Sequence, residues 1–218
     1  MYKSLCCLFV VSLLAGCDEN VLSEFPVGLE PLEENLAGVP AELDGDPFPE
    51  TLNMISGSKD GYDWVHARGF VHAPVAEVYA ALSTPLASVD RREVDRWEIV
   101  EEQPESELYD FVYTVKNTKN ALITVHYDVQ WRHGVVERTD DGEPDITATR
   151  YQKIWGTSYI DLLEGSVLAY GRDETLTELE FVHHLDATRA GVSQIKSFIG
   201  DYYADVLAIV RDTPMPEF

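Results

Sequence analysis

The stretch FVHAPVAEVYAALSTPLASVDRREVDRWEIV, residues 70–100, decides how the chain is read. It continues a strand-like run, YDWVHARGFVH at 62–72, whose apolar and polar residues alternate imperfectly. Ala73-Pro74 then opens a helix. Proline suits a first turn, where its missing N–H removes no hydrogen bond, and Val75, Val78, Tyr79 and Leu82 recur at helical spacing. Thr84-Pro85 stops that helix, a second short helical turn fits Leu86 to Asp90, and a strand carrying Trp97 begins near residue 95.

Strand-like segments then follow one another at 95–103, 108–117, 121–135, 146–158, 160–171 and 174–187. Turn residues separate several of them: Asn117 to Asn120, Asp140-Asp141-Gly142 and Gly171-Arg172-Asp173. The last element is an amphipathic helix from Ala190 to Asp212, with a stripe of Val192, Ile195, Ile199, Tyr202, Val206 and Ile209.

Strand, short helices, six more strands and one long helix is an order that resembles the START-like helix-grip superfamily. That superfamily groups lipid-transfer domains, plant pollen-allergen proteins and polyketide cyclases/dehydratases. The likeness spans about residues 60–212, resting on element order and on the 70–100 stretch. It implies an α+β fold: a seven-stranded curved antiparallel sheet wrapped around the long C-terminal helix, with two short helices after the first strand. It also implies an apolar cavity between sheet and helix, and hence a lipid or other hydrophobic small molecule as partner. One fold hosts many activities, so the resemblance does not choose between a carrier, a polyketide cyclase/dehydratase-like enzyme and a non-catalytic structural or protein-interaction lipoprotein whose cavity is filled.

Bulky rings with polar tips suit such a cavity, although alternate aromatics on strands are ordinarily core. The candidates to line it are Trp97, Phe111, Tyr113, Tyr127, Tyr151, Trp155, Phe181 and His183 on strands, and Ile195, Ile199, Tyr202 and Tyr203 on the last helix. Alternation groups Leu179, Phe181, His183 and Leu185 on one face, which puts His183 on the apolar side and His184 on the other. It likewise groups Tyr109, Phe111, Tyr113 and Val115, and it aligns Tyr127 with Val129 and Trp131. Gly156 fits a bulge or a close backbone approach.

Catalytic signatures are sparse. The six histidines form no HExxH spacing, and there is no GxSxG elbow, phosphate loop or GxGxxG fingerprint. No catalytic residue, metal or cofactor is assigned. His183 is the one candidate general base, against the commoner outcome of a satisfied core histidine. Arg150 suits either a ligand carboxylate or an acidic neighbour, and the run Arg91 to Arg96 reads as a surface ion-pair network.

Residues 1–16 read as a secretory signal, with Lys3 before an apolar run from Leu5 to Leu14. Leu14-Ala15-Gly16-Cys17 resembles a bacterial lipobox, which implies cleavage before Cys17 and acyl chains on it. The expectation is a lipoprotein of the bacterial cell envelope, anchored to a membrane and facing the periplasm or the cell exterior. All three cysteines, Cys6, Cys7 and Cys17, lie in this region, so the remainder of the chain has no cysteine chemistry. Residues 17–60 are acidic and interrupted by Pro26, Pro31, Pro40, Pro47 and Pro49. That composition predicts a largely disordered tether spanning roughly 35 Å. In an alternative reading, Pro47 to Ile55 packs on the domain as a short helix through Phe48, Leu52 and Ile55. The folded domain is then 61–213 and the tail 214–218. With 39 acidic against 16 basic residues the formal charge is −23, which excludes phosphate-driven binding to nucleic acid. Composition names no protein partner.

Overall fold

A computed structural model describes residues 20–120 and 123–218; Cys17 and the signal-like segment lie outside them. Nine strands and two helices are formed by the described residues. The strands are β1 Asn20–Leu22, β2 Leu52–Lys59, β3 Tyr62–Val71, β4 Arg96–Glu102, β5 Phe111–Asn120, β6 Thr124–Arg138, β7 Pro144–Thr157, β8 Ile160–Asp173 and β9 Leu176–Ala187. Helix α1 is Val75–Leu82 and helix α2 is Val192–Val210. Eight strands form one antiparallel sheet in the order β2-β3-β9-β8-β7-β6-β5-β4, and β1 pairs with the end of β7. The order is that of consecutive hairpins, apart from β3, which closes against β9.

The helix-grip architecture is therefore present, with two strands beyond the expected seven and one helix fewer after the first domain strand. Leu86 to Val89 makes only i→i+3 turns, Ala87 N–H to Thr84 O and Val89 N–H to Leu86 O. The loop from Ser88 to Val94 is instead tied to α2. Arg91 meets Asp205 at 2.7 Å, and Arg92 donates two bonds of 2.8 Å to Asp201. The basic run does form ion pairs, but two of its arginines find their partners one turn apart on the last helix rather than among their own neighbours.

One face of the sheet packs on α1 and α2. Alternate residues from each strand, among them Val65, Ala67, Tyr113, Val115, Val129, Trp131, Val167 and Phe181, bury against Ile195, Ile199, Tyr202 and Val206. The buried tyrosines of α2 satisfy their hydroxyls on backbone carbonyls, Tyr202 on Leu82 O at 2.9 Å and Tyr203 on Phe70 O.

The opposite face is covered by the acidic N-terminal segment, which was expected to be a mobile tether. Residues 23–38 cross the strands as a strap. Gln152 Nε2 donates to Glu24 O, Arg132 to Pro26 O, Arg150 to Glu30 O, and Gly28 N–H to the Tyr109 hydroxyl at 2.8 Å. Asn35 Nδ2 donates to two carbonyls, Ala67 O on β3 and Phe181 O on β9. Phe25 lies under the Arg132 guanidinium at 3.8 Å, and Leu29 buries against Tyr109, Val112 and Ala148. Gly134 leaves room for this, since a Cβ there would meet Leu108 O and the Leu29 side chain. A segment too polar to form its own core is held because the sheet supplies the donors and the apolar floor.

The segment 47–55 also packs, but not as a helix: 47–51 is irregular and Leu52 to Ile55 open β2. Phe48 meets Phe70 edge-on at 5.1 Å, and β2 pairs with β3 through a two-residue loop, Asp60-Gly61. Both loop residues have positive φ, 51° and 97°, the geometry of a tight hairpin turn for which Asp-Gly is favoured.

Candidate functional site

A single row of paired residues crosses the helix-facing side of the sheet. Tyr113 on β5 stands opposite Trp131 on β6, Trp131 opposite Tyr151 on β7, Tyr151 opposite Gly165 on β8, and Gly165 opposite His183 on β9. Side chains so paired share a face and touch. Trp131 stacks on Tyr151 with centroids 4.1 Å apart and planes at 20°, while Tyr113 lies parallel to Trp131 at 6.3 Å. Phe198 and Tyr202 of α2 close over them, Tyr202 edge-on to Trp131 at 5.7 Å.

Gly165 is the gap in this row. A Cβ at that position would stand 2.0 Å from the Tyr151 ring, so only glycine lets the phenol lie across β8. The Tyr151 hydroxyl thereby reaches His183 Nδ1 at 2.8 Å. A second pair lies nearby: His133 contacts the Tyr113 hydroxyl at 3.1 Å through Nε2 and Thr149 Oγ1 at 2.9 Å through Nδ1. Burial disfavours the charged form of both imidazoles and pushes each pKa down to about 3. Burial likewise raises the Tyr113 and Tyr151 phenols above their ordinary value. At neutral pH all four groups are uncharged.

Beside this row, the sheet and α2 stop short of filling the interior and leave a cavity of about 260 Å³. Its deep wall is Trp131, Tyr151, His183 and Phe198. Its apolar sides are Val115, Val125, Val129, Ile160, Leu163, Leu185 and Ile195. At the ends of the strands it is bordered by Asp90, Glu93, Lys119, Ile123, Thr188 and Arg189, of which Ile123, Thr188 and Arg189 are exposed. Lys119 pairs with Glu93, and burial pushes the Asp90 carboxyl up to about 6. The volume falls just under the roughly 300–1,000 Å³ common for ligand pockets. It suits a small molecule and is too tight for a bulky lipid without movement.

The human StAR-related lipid transfer protein 5 aligns with 76% of this chain and 84% of its own, at a TM-score of 0.50 and 13% identity. The chain has the helix-grip fold. Lower TM-scores relate it to the lipid transfer domain of human StarD13 (0.48, 11% identity, 78% of this chain and 87% of that one). The ZhuI aromatase/cyclase of Streptomyces sp. R1128 gives 0.42 at 16% identity over 68% of this chain and 91% of its own. No protein-family model and no curated protein matches the sequence. Identities this low speak to the fold alone.

Of the twelve residues that the sequence nominated for the helix-grip cavity, Tyr127, Tyr151, His183 and Ile195 line it. Tyr113, Phe181, Ile199, Tyr202 and Tyr203 are buried in the core beside it. The other three are elsewhere. Phe111 is 51% exposed at the far end of β5, where it meets Tyr79 of α1. Trp97 and Trp155 flank a groove on the opposite face with Lys116, His126 and Asp128. Tyr109, expected to share a face with Tyr113, precedes β5 and packs under the strap. Gly156 does sit at an irregularity, with φ of 141° and no room for a Cβ against His126 O. Arg150 turns to the strap, not the cavity. Among wall residues, Trp131, Leu163 and Phe198 escaped nomination. For Trp131 the signal existed, since alternation aligned it with Tyr127.

One titratable cluster lies on the covered face. Glu33 of the strap meets His66 Nε2 at 2.8 Å and His184 Nε2 at 3.2 Å, and Glu164 meets His184 Nδ1 at 3.1 Å. The three groups Glu33, His66 and His184 are close enough to hold a cation. The tautomer opposes it: Leu36 N–H donates to His66 Nδ1, which leaves Nε2 carrying the proton rather than a free lone pair. His184, with a carboxylate on each ring nitrogen, has its pKa raised despite burial, which opposes the rise. The arrangement is a hydrogen-bonded clamp on the strap.

Proposed function

We propose that this protein binds a small hydrophobic molecule in the helix-grip cavity and is held at a membrane by acyl chains on Cys17. The observation that carries the binding reading is the cavity itself. It is walled by apolar and aromatic side chains, with one hydrogen-bonding pair at its deep end. The fold likeness to the human StAR-related lipid transfer protein 5 agrees with that reading without adding to it.

The lipobox-like tetrad supports the anchor, and the topology gives it a consequence. Cys17 is three residues before Asn20, and Asn20 pairs with Thr157 at the end of β7. That is also the end where β5 and β6 meet, β9 finishes and the cavity is bordered. Three extended residues reach about 11 Å. An anchored Cys17 would therefore tie the start of β1 to within that distance of the bilayer, at the end of the sheet where the cavity is bordered. Ligand exchange would then take place at the membrane surface.

Native mass spectrometry of the protein purified from its own host tests the first half. The expected result is a co-purifying small apolar species, lost when Leu163→Trp fills the cavity. Repeated recovery of the bare chain would contradict it. For the second half, Cys17→Ser is expected to abolish fatty-acid labelling and to move the protein out of the membrane fraction. Unchanged labelling would remove the anchor from the account.

The Tyr151–His183 pair also favours a second reading, an enzyme with general acid–base chemistry in the same cavity. Burial keeps His183 neutral, but its Nδ1 is taken up by the Tyr151 hydroxyl, its pKa near 3 makes it a weak base, and among the described residues no carboxylate stands behind it to stabilise an imidazolium. Binding is the function that the geometry supports best.

A further inference from the structure

The buried phenol of Tyr151, 1% exposed, must place its proton on an acceptor, and His183 Nδ1 at 2.8 Å is its hydrogen-bond partner among the described residues. Nδ1 is therefore the accepting nitrogen. A neutral imidazole carries one hydrogen, so it resides on Nε2. Nε2 has no protein partner among the described residues, while His183 forms part of the deep cavity wall. At the cavity wall that N–H lacks a protein acceptor, and a ligand oxygen would satisfy it.

We propose that the cavity selects uncharged apolar molecules bearing a hydrogen-bond-accepting oxygen, such as a ketone, aldehyde or ester, which His183 Nε2–H meets at the deep end. The proposal deepens the binding reading above and rests on it. The preference for an uncharged ligand follows from the placement of charge. Among the described residues the only lining cations are Lys119 and Arg189, both at the bordered end of the strands, where Lys119 is already paired with Glu93. A carboxylate placed beside Trp131, Tyr151 and a neutral His183 would be buried without a counter-charge. The flat stack of Trp131 on Tyr151 and the volume of about 260 Å³ further suit a compact, planar molecule.

Three probes of nearly equal shape separate the claims: acetylnaphthalene, ethylnaphthalene and naphthoate, titrated calorimetrically into the purified protein. Acetylnaphthalene is expected to bind about fivefold more tightly than ethylnaphthalene, the increment of one hydrogen bond, and naphthoate more weakly than either. His183→Phe is expected to erase the difference between the first two. Nitrogen NMR of the unliganded wild-type protein reads the tautomer without any substitution, and the Nε2-protonated form is expected. Equal binding of the two uncharged probes, tightest binding of naphthoate, or an Nδ1-protonated His183 would overturn the proposal and leave the cavity a ligand site. Failure of all three probes to bind would overturn both.

Discussion

Gly165 shows how much of the site depends on one absent methyl group. Gly165→Ala is expected to push the Tyr151 ring off β8, break the bond to His183 and destabilise the fold by about 1–3 kcal/mol, as overpacked cores do. Urea unfolding of the variant checks this, and unchanged stability would show that Tyr151 has another place to go. The two buried histidines give a second expectation. Their folded pKa values lie near 3, below the ordinary value of 6.5, so the unfolded chain takes up protons that the folded chain refuses. The stability they contribute is complete above pH 6.5 and is lost as pH falls from there toward 3. Between pH 6.5 and 5 each costs up to about 2 kcal/mol. Unfolding curves compared between those two pH values should lose one histidine's share of this dependence in His183→Phe. A pH dependence unchanged by that substitution would contradict the neutral burial of His183. His183 was legible in the sequence because strand alternation assigns faces. Gly165 was not, because its meaning comes from a register with β7 that no local pattern records. Phe111 and Trp97 failed for a related reason: alternation gives the face of a strand, but not which part of that face a helix covers.

At the scale of elements, the strap is where composition misled. Averaged over residues 17–60, the acidic and proline-rich sequence looks unable to order itself, and alone it has too little apolar area to do so. Its anchors are Arg132, Arg150, Gln152, His66 and His184, all distant in sequence and none visible in the segment's own composition. The β2–β3 hairpin, by contrast, carried a readable sign in Asp60-Gly61, obscured only by placing the domain boundary at residue 61. Limited proteolysis distinguishes an ordered strap from a tether. Glutamyl endopeptidase is expected to spare Glu33 and Glu34 in the folded protein, whereas rapid cleavage at either would restore the mobile tether. Glu33→Gln removes the carboxylate shared by His66 and His184 and should make Glu34 cleavable sooner. The long strands and α2 were read correctly within a few residues, since their periodicity extends over many turns and alternations.

For the whole molecule, the same end of the sheet gathers the cavity border and the start of β1, which lies three residues after Cys17 in sequence. Excess negative charge is distributed over strap and domain alike, so it is not the property of a spacer. It disfavours broad electrostatic adhesion to anionic lipid, which leaves any hold on the membrane to the acyl chains. The central claim is that the space between sheet and α2 takes up a small apolar molecule. Methyl NMR of the protein with added ethylnaphthalene tests it most directly. The account expects saturable shifts confined to Val115, Val129, Ile160, Leu163, Leu185 and Ile195, and their loss in Leu163→Trp. Shifts absent from those methyls, or concentrated on the strap-covered face, would contradict it.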